Sequence, residues 1–312
     1  MLAAVDIGLI YGLMALGVFI TFRVLNFADL TVDGSFVTGA AVAASGMLMG
    51  TPPLLATILG FATGCVAGVI TGLLNTAGKI DPLLAGILTQ IALYSLNLRI
   101  MGKANLALLR TDTLLSGMRD WFATPASVAV FGAVVVAFAA VLVWFLGTNT
   151  GLAMQATGNN PVMARAHGVH TSGMVVLGLA LSNGLVGASG ALMAQYQGFA
   201  DISMGIGTIV IGLASVILGQ AIFGRLPVWR GVLAVLLGSV LYRFVIQVAL
   251  GLNIGLQPSD MKIISAVLVI AALLAPKLPW FASFTRNRHE REIAKQVLAA
   301  DIAAAGKAEE LR

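Results

Sequence analysis

Charge is scarce in this chain: Asp, Glu, Lys and Arg make up 10% of its 312 residues, against about 25% in soluble domains. Twelve of the 31 charged side chains fall within residues 277–312, leaving nineteen for residues 1–276. That composition argues against a soluble globular enzyme. Cys65 is the only cysteine, which excludes an intramolecular disulfide, a thiolate zinc cluster and a CxxC redox pair. There is no GxxxxGK[ST] phosphate loop, no GxSxG elbow and no HExxH. No catalytic residue is therefore assigned, and if ATP drives this protein, another chain hydrolyses it. His167 and His170 stand three apart without a third ligand, so no metal site is expected.

What is abundant is apolar surface and glycine: 59% of residues are hydrophobic, 36 are Gly, and the mean hydropathy is +0.97. Only helices or closed barrels satisfy their backbone in lipid, and alternating barrel strands are absent. The expected fold class is all-α, a polytopic transmembrane helical bundle. Crossing the hydrocarbon takes roughly 20 apolar residues, and nine candidate spans follow: 3–22, 30–50, 54–74, 82–101, 125–146, 173–194, 204–223, 231–250 and 261–276. Pro52-Pro53, Asp81-Pro82, Thr124-Pro125, Asn160-Pro161 and Leu226-Pro227 punctuate the gaps, where helices end or begin. Residues 1–280 form the membrane domain and 281–312 a charged tail with an amphipathic stripe of Ile293, Val297, Leu298 and Ile302. With that tail cytoplasmic, nine spans put Arg23, Lys79, Arg165, Arg225 and Arg230 inside, as the positive-inside tendency asks. The net charge of +5 thus reads as orientation rather than as a nucleic-acid surface.

Glycines at 60, 64, 68 and 72 line one face of the third span and let a neighbouring backbone approach. Phe27-Ala-Asp-Leu-Thr-Val recurs as Phe199-Ala-Asp-Ile-Ser-Met, a pattern expected of an inverted repeat or of chance in an Ala-rich chain. Asp29 and Asp33 are four apart, hence on one face if helical, with Asn26 before them. A carboxylate at the bilayer centre costs roughly 2.5–3.5 kcal/mol, whereas a helix N-terminus returns about 0.3–1 kcal/mol. Both should therefore sit near the interface or line a hydrated cavity, at the start of a broken or re-entrant second helix. They either cap its free N–H groups or line a pathway. Gln90, Tyr94, Asn97 and Met101 make one helical stripe that either bonds a neighbouring helix or meets a polar solute. Arg99 and Arg243, near span ends, are expected to snorkel.

The loop 147–172 is the most distinctive segment. Asn160 suits an N-cap, Pro161 the first turn and Gly168 the stop of a helix about two turns long. A helix so short needs a partner surface.

Three segments carry a family resemblance: Gly8–Ser35 with Asn26-Phe27-Ala28-Asp29-Leu-Thr-Val-Asp33-Gly-Ser, the loop Ala156-Thr-Gly158-Asn-Asn160-Pro161 through Ala164 and Gly168, and Val210-Ile-Gly212 through Ser215 and Gly219. Over about residues 8–276 the chain resembles the membrane permeases of ATP-binding-cassette importers, in the superfamily of the branched-chain amino acid and ribose permeases. Branched-chain permeases usually carry His-Gly where this chain has Asp29-Leu30. With Leu93 to Gly102, the segment looks closer to the branch labelled tryptophan/tyrosine permeases. The resemblance implies a permease subunit in the cytoplasmic (inner) membrane, a homodimer, with no cofactor of its own. ATP and Mg would be held by separate ATPase subunits, and an extracytoplasmic binding protein would deliver a small polar solute, an aromatic amino acid first. It implies that Gly158, Asn159, Asn160, Pro161, Ala164, Arg165 and Gly168 form the coupling segment. Candidate pathway residues are Asn26, Phe27, Asp29, Thr31, Asp33, Gln90, Asn97, Phe199, Asp201 and Ser203. The rival is an ion-coupled transporter using Asp29, Asp33 and Asp201.

Overall fold

A computed structural model describes residues 2–108, 111–114, 124–223 and 228–251, with 263, 266, 267 and 270 beyond them. The chain divides into two units, Met1–Ala266 and Val267–Arg312, and nearly all of the second lies outside the described residues. So do the ninth expected span (except 263, 266, 267 and 270), the Leu226-Pro227 break and the charged tail.

The elements of the first unit are α1 (Leu2–Phe19), a π-helical turn (Ile20–Val24), α2 (Thr31–Leu48), α3 (Pro53–Thr76), α4 (Pro82–Met101), β1 (Asn105–Ala107), α5 (Pro125–Gly147), α6 (Asn149–Asn159), α7 (Pro161–Ala166), α8 (Thr171–Gln197), β2 (Phe199–Asp201), α9 (Thr208–Phe223) and α10 (Val228–Gly251). Four helices open on proline at their first or second position: α3, α4, α5 and α7. Proline there removes an N–H that the helix could not have used. Two of these starts carry a side-chain cap, Asp81 accepting from the Leu83 N–H at 3.0 Å and Asn160 accepting from the N–H groups of Val162 and Met163 at 3.1 Å each.

Among the described residues six helices are long and apolar enough to cross a membrane, starting at Leu2, Pro53, Pro82, Pro125, Thr171 and Val228. The count of nine is not reached. α2 falls short because it carries Asp33 and four Ser or Thr side chains, and α9 because its apolar part is short. α2 tolerates that polarity by being wrapped in α3, α4 and α8, with most of its residues buried. It is one continuous helix rather than a broken one. The irregular segment precedes it, at 25–30.

The glycine face of α3 meets α8 as its spacing predicts. A Cβ on Gly64 or Gly68 would collide with the backbone oxygen of Asn183 or Leu179, and one on Gly72 would come within 2.9 Å of the Val176 Cα. Serines bind the bundle further: Ser182 Oγ donates to the Gly17 carbonyl and Ser189 Oγ to that of Ile10, both at 2.7 Å, and Ser239 Oγ to that of Gly8 at 2.9 Å. Such bonds average roughly 0.6 kcal/mol in lipid, so they set register more than they supply stability. Arg243 is half-buried against the bundle: its guanidinium stands 4.2 Å from the Tyr11 ring centroid, and Tyr11 in turn stacks on Phe36. A cation over an aromatic face is attracted by the ring quadrupole, which lets it turn inward.

One departure from an all-helical chain is a two-stranded ribbon, β1 against β2 in antiparallel register with Asn105 opposite Asp201. It consumes the second copy of the sequence repeat, and this is why an inverted repeat is not confirmed. The first copy joins a π-helical turn to a helix, whereas the second is a strand and a turn. What the copies share is local. Asp29 Oδ1 accepts from the Thr31 N–H at 2.9 Å, and Asp201 Oδ1 from the Ser203 N–H at 2.8 Å. Asp followed two residues on by an N–H is a short-range turn, which a six-residue similarity can specify without any symmetry of fold.

Candidate functional site

The segment 25–30 begins at Asn26, whose φ of +52° lies in the left-handed region that Asn tolerates better than most residues. That turn sends Phe27 into the core and leaves Asn26 exposed. Asp29 is then 3% exposed and fully engaged. Besides the Thr31 N–H, its Oδ2 accepts from Asn183 Nδ2 at 2.7 Å, and Asn183 Oδ1 accepts from Ser35 Oγ at 2.7 Å. Thr31 Oγ1 shares a hydrogen bond with Thr71 Oγ1 at 2.8 Å, and Thr71 donates to Thr89 Oγ1 at 3.0 Å. Asp29 and Thr31 therefore knit α2, α3, α4 and α8 together, and Asp29 caps the first N–H of α2. Asn183 was missed in the sequence, although an amide in the middle of an apolar span is itself a signal.

Asp33 behaves differently. Its Oδ2 accepts from the Gly207 N–H at 3.0 Å, and its Oδ1 accepts from Thr208 Oγ1 at 2.9 Å and the Ile209 N–H at 2.8 Å. It thus caps α9 from another helix, and Gly207, with φ +86°, shapes the turn that presents those donors. Beside this clasp lies a cavity of about 360 Å³, lined from α2 by Asp33, Gly34 and Val37, from α4 by Gln90, Ile91, Tyr94, Ser95 and Asn97, and from the turn before α9 by Ile202, Gly205 and Ile206. The Gln90–Tyr94–Asn97 stripe therefore borders a cavity together with Asp33. Phe199, Asp201 and Ser203 do not line it. Asp201 and Ser203 form the ribbon end, where Asp201 Oδ2 accepts from Asn105 Nδ2 at 3.0 Å and Ser203 Oγ also donates to Oδ1. Partial burial raises the Asp201 pKa, but the hydrogen bonds from Ser203 and Asn105 outweigh it and hold the carboxyl below its ordinary value.

The loop 147–172 folds as a helical hairpin. Asn160 caps α7, Pro161 opens it, and Gly168, with φ +83°, follows its end. α7 has six residues, shorter than two turns, and leaves Val162 72% and Met163 56% exposed. Ala164 is buried and Arg165 is exposed. A Cβ on Gly158 would collide with the Val24 carbonyl and crowd the Leu25 Cα. The hairpin thus rests directly on the π-helical turn that leads to Asn26. A second cavity, of about 520 Å³, lies along this contact and is lined by Asn26, Asn75, Thr157, Gly158, Pro161, Arg165 and His170, among others. His170 is occupied as a cap, its Nδ1 accepting from the Gly173 N–H at 3.2 Å. Among the described residues no three His, Cys, Asp or Glu side chains group as metal ligands.

A bundle of apolar helices long enough to cross a membrane, enclosing a largely apolar cavity edged by Asp33, Gln90 and Asn97, defines a multi-pass membrane protein. Residues 2–273 match the family described as branched-chain amino acid transport system / permease component, and the chain belongs to it. It is 40% identical, over 86% of its own length and 89% of the relative's, to the tyrosine transport system permease protein of Clostridioides difficile (strain R20291). It is 33% identical, over 89% and 98%, to an uncharacterized protein of Rickettsia prowazekii (strain Madrid E). No solved structure matches it.

Proposed function

We propose that the chain is the permease subunit of an ATP-binding-cassette importer for an aromatic amino acid, working as a homodimer in the cytoplasmic membrane. The observation that carries the coupling part of this reading is the seat of Gly158 on Val24 and Leu25. The α6–α7 hairpin docks on a separate ATPase subunit through Val162, Met163 and Arg165. Closure of the ATPase dimer around ATP and Mg moves the hairpin, and the rigid contact at Gly158 passes that movement to Asn26–Asp33. Asp33 then carries it to the start of α9 and to the cavity wall. An extracytoplasmic binding protein delivers the solute to this cavity. Similarity to a relative named for tyrosine transport supports an aromatic amino acid as the cargo. Nothing favours the ion-coupled rival, since Asp29, Asp33 and Asp201 each give both carboxylate oxygens to donors within the protein.

The test is purification of the tagged chain from its native membrane, with assay of vanadate-sensitive ATP hydrolysis. Recovery of a phosphate-loop ATPase and a solute-binding protein is the expected result. Uptake that survives loss of ATP and collapses with the ion gradient would overturn the proposal.

A further inference from the structure

The outward face of α4 is unlike those of α3 and α5. α5 has no Ser, Thr, Asn, Gln or charged residue between Ser127 and Thr148, and it turns Val130, Val134, Val136 and Val141 outward. α3 turns Ile58, Leu59, Val66 and Ile70 outward, and its Thr63 gives its hydroxyl to the Leu59 carbonyl at 2.9 Å. Both faces suit lipid. α4 instead carries Gln90, Tyr94 and Ser95 along one edge, the first half-buried and the other two exposed. None of the three hydrogen-bonds to any described residue. At 1.5 Å per residue they stand about 9 Å or more from either end of the helix. Helical side chains lean towards the N-terminal turn, which carries the Tyr94 hydroxyl away from the nearer end. Unpaired polar groups at that depth are costly against hydrocarbon, so this edge needs a neighbour other than lipid.

We propose that the Gln90, Tyr94 and Ser95 edge of α4 packs against the same edge of a second copy of this chain, and that the cavity beside Asp33 is closed only by that second copy. An amide, a phenol and a hydroxyl each donate and accept, so an edge made of them complements itself. A two-fold contact asks for that property, since it sets one patch against its own copy. Arg99, in the last turn of α4, has the membrane surface within reach and stays out of the contact. The same three side chains line the cavity, together with Ile91 and Ile206, which are 63% and 58% exposed. The cavity therefore reaches the surface of the bundle along this edge, and each copy supplies the wall that the other lacks. The faces of α3 and α5 stay in lipid. The inference rests on the reading of the chain as a homodimeric permease and adds which face the two copies share.

Cys65 is the lone cysteine, so disulfide trapping reads one position at a time. Ile91→Cys and Ser95→Cys are each placed in a full-length Cys65→Ala chain, oxidised in native membrane vesicles with copper phenanthroline, and read as covalent dimer on non-reducing gels. Two cysteines bridge only when their Cα atoms come within about 7 Å. The expected result is covalent dimer at both α4 positions, about tenfold above that at Ile58→Cys in α3, Val141→Cys in α5 and Leu237→Cys in α10. No covalent dimer at either α4 position, by direct oxidation or with a short bifunctional thiol reagent, overturns the inference. Trapping through α3, α5 or α10 in its place also overturns it and leaves the homodimer reading standing. A monomeric mass for the detergent-purified wild-type chain by light scattering, together with no trapping at any position, overturns both.

Discussion

Asp33 on α2 holds the first turn of α9, its Oδ1 accepting from the Ile209 N–H at 2.8 Å and from Thr208 Oγ1 at 2.9 Å. The two residues lie 175 and 176 positions from it along the chain, so this clasp is a tertiary decision about where α9 begins. Asp33→Ala removes three hydrogen bonds to one carboxylate and is expected to destabilise the folded chain by about 2 kcal/mol. Asp33→Asn keeps an acceptor and loses less, since Asn and Asp cap comparably. Thermal unfolding in detergent ranks the variants, and equal midpoints for Asp33→Ala and wild type would refute the clasp.

Gly158→Val places two methyl groups where the Val24 carbonyl already stands. Membrane insertion is expected to persist, because no span is altered, while transport falls at least about tenfold as the hairpin is pushed off its seat. Uptake by membrane vesicles, normalised to the amount of inserted chain, measures it.

Arg165→Glu reverses an exposed charge at the end of α7 without touching a buried contact. Stability stays within about 0.5 kcal/mol of wild type, and solute-stimulated ATP hydrolysis is lost together with uptake. Unchanged uptake would remove Arg165 from the docking face.

Gly68→Val overpacks the α3–α8 contact at the Leu179 carbonyl and is expected to cost about 1–3 kcal/mol. Gly132→Ala in α5 meets nothing within 4 Å and serves as the control, neutral or slightly stabilising. The two unfolding midpoints separate close packing from a general intolerance of substitution.

Asp201 supplies a pH test. Its folded-state carboxyl lies below the ordinary value of 3.8, so its stabilising contribution is present above that value and is lost as pH falls through the folded one. The gap in unfolding midpoint between wild type and Asp201→Ala should therefore be constant from pH 7 to pH 5 and close below 3.8. A gap that changes between pH 7 and pH 5 would contradict the assignment.

Much of this was legible locally. The proline starts at Pro53, Pro82, Pro125 and Pro161, the Asn160 cap and the glycine face of α3 are each specified by residues within one or two turns of one another, and each is present as expected. Hydropathy also located the long apolar helices. The expected count of nine is not confirmed at α2 and α9: α2 carries polar side chains that its position among α3, α4 and α8 accommodates, and composition does not reveal a helix's neighbours. The same limit explains the two aspartates of the second segment. Their spacing of four suggested one shared face, yet Asp29 lies before the helix and turns to Asn183, while Asp33 turns to α9. Tertiary structure alone brought Asp33, Gln90 and Asn97 to one cavity and sent Asp201 to a ribbon end. A six-residue motif fixes a turn through hydrogen bonds of its own. Which cavity that turn faces depends on packing partners more than a hundred residues away.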